Sequence, residues 1–300
     1  MDWAATQNNL GNALSTLGER QQEPAHLNAA IDAYTAALAV RTREAVPMDW
    51  AVTQNNLGTA LQTLGKRQQD PAHLNAAIDA YTAALAVHTR EAVPMDWAMT
   101  QNNLGVALQT LGERQQEPAH LNAAIDAYTA ALAVRTREAV PMDWAVTQNN
   151  LGTALQTLGK RQQDPAHLNA AIDAYTAALA VHTREAVPMD WAMTQNNLGN
   201  ALRWLADVTS EPEILDSAQA AYELCLLERS RDNVPFLWAK TQWNLADLAL
   251  VRHRLAPDPA HLVTAQQYLD AARAVFAEGP SEHQLDRCDT LQTKIDAAKT

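Results

Sequence analysis

The chain has 300 residues, of which 47% are apolar and 19% are charged, and its formal net charge is −12 at pH 7. A chain of this length and apolar content can bury a sizeable core, but its negative charge argues against nucleic acid or an anionic membrane surface as partners, since both are bound through Lys and Arg. The sequence has no apolar run near the roughly 18 residues of a membrane span and no signal peptide at its N-terminus, so we expect a cytoplasmic protein.

A 47-residue period runs through the sequence and is marked by tryptophans spaced 47 residues apart, from Trp3 to Trp238. Residues 48–94 are identical to residues 142–188, whereas residues 1–47 and 95–141 differ at three positions. A fixed period of this size is typical of repeat proteins, so we predict six tandem units and a final capping helix. The units are residues 1–47, 48–94, 95–141, 142–188, 189–235 and 236–280, and the capping helix is expected within residues 281–300.

Each unit is predicted to begin with a helix, here called helix A. In the second unit Asp49 is a suitable N-cap residue, and Trp50, Leu57 and Leu64 follow it at helical spacing. Gly65 comes directly after this apolar stripe, at the position where a left-handed residue commonly closes a helix. We therefore expect helix A of this unit to begin at Trp50 and to end at Gly65.

A second helix, here called helix B, is predicted after a short polar turn. Asp70 and Pro71 form an N-cap residue followed by proline at the first helical position. An apolar stripe from Leu74 through Tyr81 then favours a helix, which Pro94 is expected to end. Because one helix pair cannot bury its stripe alone, we expect neighbouring units to stack on each other.

The two ends of the array differ. Residues 281–299 are rich in charge and are expected to cover the last open face, whereas no comparable segment precedes the first unit. The uncapped N-terminal face therefore predicts either an upstream portion that covers it or a homo-oligomer formed through it.

The second unit carries a recognisable set of residues, namely Leu57, Gly58, Gly65, Ala77, Tyr81, Ala84 and Pro94. With this set the unit resembles the tetratricopeptide repeat. Its length and the asparagine doublet Asn55-Asn56 resemble the kinesin-light-chain type of that family. The resemblance implies an all-α fold, a right-handed α–α superhelix of helix–turn–helix repeats, in which helix A lines a concave groove for ligands. The unit is 13 residues longer than the usual 34. Gln54 and Leu61 stand where the family has tryptophan and tyrosine.

Differences between the near-identical copies lie on one face of helix A. Exposed positions of helix B such as Asn75 stay unchanged in the first four units, whereas substitutions have accumulated on helix A. This difference suggests that the face of helix A is a recognition surface. The alternative is that any exposed face drifts. The first and third units differ as Ala5/Met99, Asn12/Val106 and Ser15/Gln109.

The same face carries amide and hydroxyl side chains that suit an extended peptide, because a carboxamide can both donate to and accept from a peptide backbone. We predict a protein or peptide partner in extended conformation, held along this face. The alternative is that the asparagines bridge adjacent helices. The predicted binding residues in the first four units are Asn8, Asn9, Asn12, Asn55, Asn56, Thr59, Gln62, Asn102, Asn103, Gln109, Asn149, Asn150, Thr153 and Gln156.

The fifth and sixth units replace neutral residues of this face by charged and aromatic ones. Arginine and aromatic side chains are frequent anchors in protein interfaces, so a specificity pocket is expected here. The alternative is that Trp204 and Trp243 only fill the terminal core. The predicted binding residues in these units are Asn196, Asn197, Asn200, Arg203, Lys240, Trp243 and Asn244.

Nothing in the sequence has the pattern of a catalytic, metal or cofactor site. Histidines such as His73 recur once per unit, too far apart to meet at one metal ion, and Cys225 and Cys288 are isolated. No phosphate loop or nucleophile motif is present. We therefore expect an interaction scaffold, not an enzyme. The alternatives are a self-assembling spacer array and the sensor arm of a larger signalling protease or ATPase.

Overall fold

A computed structural model describes residues 2–279 and 281–299, and these residues form thirteen α-helices and no β-strand. Met1, Pro280 and Thr300, which the predicted boundaries include, lie outside the described residues. The all-α fold class is confirmed. The helices are α1 (Asp2–Gln21), α2 (Pro24–Leu38), α3 (Pro47–Gln68), α4 (Pro71–Leu85), α5 (Pro94–Gln115), α6 (Pro118–Leu132), α7 (Pro141–Gln162), α8 (Pro165–Leu179), α9 (Pro188–Thr209), α10 (Ile214–Leu226), α11 (Pro235–Leu255), α12 (Pro259–Phe276) and α13 (Glu282–Ala298).

The chain divides into two compact parts, Met1–Ala154 and Leu155–Thr300, with the division inside α7. In the first part each helix from α1 to α6 packs against the next in the chain, and in the second part the same holds from α8 to α13. Odd-numbered helices up to α11 are helix A of their units, and even-numbered helices are helix B. Each part is therefore a stack of helix pairs, as the tetratricopeptide resemblance predicts.

Helix A begins earlier than predicted, so the assignment of Asp49 as N-cap residue is wrong. In the second unit Val46 is the N-cap residue and Pro47 occupies the first turn of α3, while Asp49 lies inside that turn. Proline is favoured there because its missing N–H has no helical partner to lose. Each Val–Pro pair therefore starts a helix A. The prediction that Pro94 ends helix B is wrong, because α4 already ends at Leu85 and Pro94 is the first residue of α5. The N-cap role of Asp70 is confirmed, since its carboxylate accepts from the Ala72 N–H at 2.8 Å.

Helix A also ends later than predicted, and the assignment of Gly65 as a left-handed C-cap is wrong. α3 continues to Gln68, and the left-handed residue is Gln69, with φ of 56°. Gly65 lies inside the helix, where an added Cβ would come within 3.1 Å of the Cβ of His73 and the Cγ of Leu74. A glycine is needed here because helix B approaches closely, not because the chain turns.

A buried tyrosine of helix B packs against a glycine of helix A in the same unit. In the second unit a Cβ on Gly58 would lie 2.7 Å from Cε1 of Tyr81, which is too close for any side chain. The tyrosine ring therefore packs directly against the helix A backbone at this glycine. This contact explains why Leu-Gly in helix A and an aromatic residue in helix B occur together. The equivalent buried tyrosines are Tyr34, Tyr81, Tyr128, Tyr175 and Tyr222.

Adjacent units are also joined by polar contacts. Arg67 donates to the carbonyl oxygens of Gly18 and Glu19 at 2.7 and 3.0 Å, which closes the C-terminal end of α1. Arg41 at the end of the first unit is buried and donates to the hydroxyl of Thr53 at 3.0 Å. These contacts hold each helix A against the unit before it.

Candidate functional site

The asparagine doublet of helix A forms a hydrogen-bonded ladder between units. In the first part of the chain, the second asparagine of each doublet donates from Nδ2 to Oδ1 of the first asparagine in the preceding unit. Each of these contacts is 3.3 Å long and joins Asn56 to Asn8, Asn103 to Asn55 and Asn150 to Asn102. In the second part Asn244 donates to Asn196 at 3.0 Å.

The two asparagines of a doublet therefore have different environments. In the first four units the first asparagine is buried, with exposed fractions of 5–8% at Asn8, Asn55, Asn102 and Asn149. The second asparagine of those units is exposed at Asn9 and partly exposed in the others. Both members of the doublet therefore bridge helices of adjacent units, the first as acceptor and the second as donor. In the first four units the second asparagine is the member that stays at least partly exposed.

Two further predicted binding positions hold side chains that accept a hydrogen bond from the buried tyrosine of their own unit. In the first unit Tyr34 donates to Oδ1 of Asn12 at 2.7 Å. In the third unit the residue equivalent to Asn12 is Val106, and Tyr128 donates instead to Oε1 of Gln109 at 3.0 Å. The differences between the first and third copies at these positions therefore keep a tyrosine hydroxyl paired, which gives the drift a structural explanation.

The other units use the same two positions in the same way. Tyr81 lies 3.2 Å from the hydroxyl of Thr59 and donates to Oε1 of Gln62 at 3.3 Å. The remaining pairs are Tyr175 with Gln156 at 3.2 Å and Tyr222 with Asn200 at 2.7 Å. The predicted residues Thr153, Asn196 and Asn197 are partly exposed on their helices.

Aromatic and basic residues meet on the helix A side of the second part, and we name this set the basic–aromatic cluster. It consists of Lys160, Trp204, Lys240, Trp243 and Arg287. The Lys160 ammonium lies 4.6 Å from the ring centre of Trp204, and the Arg287 guanidinium lies 4.0 Å from that of Trp243. Both are within the range of a cation–π contact.

Arg203, which the sequence predicts as a binding residue, is buried beneath this cluster. Its exposed fraction is 6%, its guanidinium stacks 4.1 Å from the ring centre of Trp204, and Nη1 pairs with the carboxylate of Asp247 at 3.2 Å. Trp243 also packs partly against the terminal core. Arg203 therefore supports the cluster from inside, whereas Lys240 is exposed.

The cations of the cluster are close enough to affect each other. Burial lowers the pKa of Lys160, and the nearby guanidinium groups of Arg203 and Arg287 lower it further. The pKa of Lys240 is also lowered, first by burial and then by Arg287. An anionic group placed among them would relieve this repulsion.

Two members of the cluster were missed by sequence reasoning. Lys160 belongs to a unit that is identical to the second unit, so nothing in that unit distinguishes it. Arg287 lies on α13 and reaches Trp243 because α13 folds back on α11 and α12. Neither position has a local signal that could have identified it.

The repeated histidines near the start of helix B pair with local carboxylates. His73 Nδ1 lies 2.7 Å from the Asp70 carboxylate, and the pair at His167 and Asp164 is equivalent, at 2.6 Å. In the part of the chain that the structure describes, no group of three His, Cys, Asp or Glu residues could hold a metal ion. None of the described helices is long and apolar enough to cross a membrane.

Comparisons with known proteins give little beyond this geometry. No family model matches the sequence, and no curated protein matches it. The similar solved structures include the TPR2AB domain of yeast Sti1 in a complex with pHSP90. The two chains are 16% identical, 98% of each is covered and the TM-score is 0.32. The description of the fold accordingly rests on the helix pairs of this chain.

Proposed function

We propose that this protein is an interaction scaffold that binds an extended segment of a partner protein along the helix A surface. The observation that carries the proposal is the row of Asn56, Asn103 and Asn150. Each side chain is partly exposed and is held in place by one hydrogen bond to the preceding unit. No described residue bonds to the Oδ1 atoms of these three side chains. A fixed row of paired donors and acceptors costs little entropy when a ligand binds.

The spacing of this row suits a peptide backbone. Packed helices lie roughly 8–10 Å apart and an extended chain rises about 3.3 Å per residue, so each unit covers about three residues of a bound segment. Three asparagines would contribute about 2–4 kcal/mol at about 0.5–1.5 kcal/mol per hydrogen bond. Micromolar affinity needs about 8 kcal/mol, so side-chain contacts must supply the rest.

The basic–aromatic cluster belongs to the second part of the chain, and we propose it as a binding surface of its own. The side chains of Lys160 and Lys240 are exposed in a protein of net charge −12. Burial is the first cause of their lowered pKa values, and the guanidinium group of Arg287 adds to the shift at both. Carboxylates of a partner would be attracted to these cations, and the part-exposed rings of Trp204 and Trp243 offer apolar contact beside them. The segment that this second surface prefers therefore carries acidic residues.

The experiment that tests the proposal blocks the surface without breaking the ladder. Replacing Asn103 itself would leave the buried Asn55 unpaired, so we choose Thr110→Trp on the helix A surface. Thr129→Trp is the matched control, because Thr129 is on the exposed face of helix B and both hydroxyls donate to a carbonyl four residues earlier.

A phage library of random twelve-residue peptides is selected on the unchanged protein, and the enriched peptides are then measured by fluorescence anisotropy. We expect Thr110→Trp to weaken binding at least about tenfold, which corresponds to 1.4 kcal/mol, while Thr129→Trp leaves it unchanged. We also expect Lys240→Ala to weaken acidic peptides most at low salt. Equal binding by both tryptophan variants would contradict the proposal. The spacer and sensor-arm functions stay predictions.

A further inference from the structure

The outward face of α1 is apolar and open. Trp3, Leu10 and Leu17 have exposed fractions of 53, 46 and 37%, which are high for such side chains on one helix. Their equivalents in the second unit are less exposed, since Trp50 and Leu57 are partly buried and Leu64 is completely buried. The face of α1 thus carries the same residues that form the interface between units elsewhere in the chain. None of the described residues forms a unit that packs on this face.

Three polar side chains on this face, Thr6, Asn9 and Arg20, are equivalent to residues that make contacts between units elsewhere. The equivalent of Thr6 is Thr53, which is fully buried and receives the Arg41 guanidinium, whereas Thr6 is exposed. Asn9 and Arg20 are exposed, and no described residue pairs with either side chain. A merely apolar partner would bury these groups without hydrogen bonds, at a cost for each. A helix pair of this repeat would supply all three partners.

The charge at the end of helix A decides which type of unit fits. The residue at the nineteenth position of the units alternates in sign along the chain. Asp207 pairs with Arg254, and burial lowers the pKa of Lys66 while the neighbouring Glu113 carboxylate opposes that shift. Two units of the same sign would bring like charges together. The alternating residues are Glu19, Lys66, Glu113, Lys160, Asp207 and Arg254.

We propose that the open face of α1 binds a helix pair of the lysine type, represented by residues 48–94, whose following side is itself uncovered. In such a unit, the equivalent of Lys66 would lie beside Glu19 and the imidazole equivalent to His88 would lie beside Thr6. The equivalent of Asn55 would accept a hydrogen bond from Asn9. The unit also offers helix-end carbonyl oxygens to Arg20. A second copy of this chain does not meet the requirement, because the next unit already covers the following side of both its lysine-type units, residues 48–94 and 142–188.

The test adds one unit directly before residue 1, joined as the natural units are. One chain receives a copy of residues 48–94, and the control chain receives a copy of residues 95–141, which faces Glu19 with glutamate. Hydrogen exchange of the α1 amides is followed by mass spectrometry at low salt. Sedimentation of the original chain at several concentrations reports self-association.

We expect α1 to exchange about tenfold more slowly beneath the lysine-type unit than beneath the glutamate-type unit, as the change from attraction to repulsion predicts. Glu19→Lys should reverse this order, which a general defect in folding would not do. Equal protection beneath both units would overturn the proposal. So would a dimer of the original chain that protects α1 by itself.

Discussion

Replacing Gln109 by Ser in the third unit removes the acceptor of a buried phenol. Tyr128 is completely buried and donates to Gln109 Oε1 at 3.0 Å. The other position that serves such tyrosines is Val106 in this unit, which has no polar atom in its side chain. Serine is the residue that the first unit has at this position, but there Asn12 accepts from Tyr34. The substitution is therefore tolerated in one unit and disruptive in the other.

The expected magnitude follows from the unpaired hydroxyl. Burial raises the pKa of Tyr128 well above its usual value, so the phenol stays protonated and needs an acceptor. Leaving it unpaired costs about 1–3 kcal/mol of unfolding free energy. Gln62→Ser in the second unit is the matched control, because the hydroxyl of Thr59 remains 3.2 Å from Tyr81. We expect that control to cost less than about 1 kcal/mol.

A second substitution should restore what the first removes. Val106→Asn combined with Gln109→Ser reproduces the arrangement of the first unit, in which the asparagine accepts at 2.7 Å. Urea unfolding gives the free energy for each variant, and the slope with urea shows whether the unfolding transition itself has changed. A double variant no more stable than Gln109→Ser alone would refute the reasoning. A loss in the Gln62→Ser control as large as that of Gln109→Ser would also refute it.

Three other predictions concern the contacts that hold the units together. Gly105→Ala should lower the free energy of unfolding by about 1–3 kcal/mol in urea, since an added Cβ would lie 2.7 Å from a tyrosine ring; a more stable variant would contradict the contact. Arg114→Ala should cost about 1–2 kcal/mol in the same assay, because two helix-end carbonyl oxygens at 2.8 Å lose their donor. The equivalent Arg20→Ala should cost almost nothing, and equal losses would argue against this role. Burial lowers the pKa of His88 and His182, so the folded protein binds fewer protons than the unfolded chain. The melting temperature should therefore fall as the pH drops below about 6.5, and replacing both histidines by Arg should flatten that fall, whereas an unchanged pH profile would contradict it.

The sequence predicts the repeat and its helix pairs well because those features are local and repeated. The proline that begins helix B and the N-cap at Asp70 lie within one unit, and the period repeats them along the chain. The errors at Asp49 and Gly65 have a common origin. Aspartate is often an N-cap residue and glycine often closes a helix, but here both lie inside helix A. Gly65 is required by the approach of helix B, and only the assembled helix pair reveals that.

The division of the asparagine doublet could not be predicted from one unit. Helical spacing places Asn55 and Asn56 near each other, but their roles depend on the adjacent units. Asn55 accepts from the unit after it and Asn56 donates to the unit before it. The same holds for Arg287, which joins the basic–aromatic cluster only because α13 folds back onto the last helix pair.

The most direct test of the proposed binding surface follows the asparagine side chains themselves. A selected peptide is titrated into protein labelled with ¹⁵N, and the side-chain amide resonances are recorded. We predict that the resonances of Asn56, Asn103 and Asn150 shift and saturate with the peptide, while those of Asn75 and Asn122 on the exposed face of helix B do not move. Shifts confined to the helix B asparagines, with the helix A row unchanged at saturation, would contradict the account.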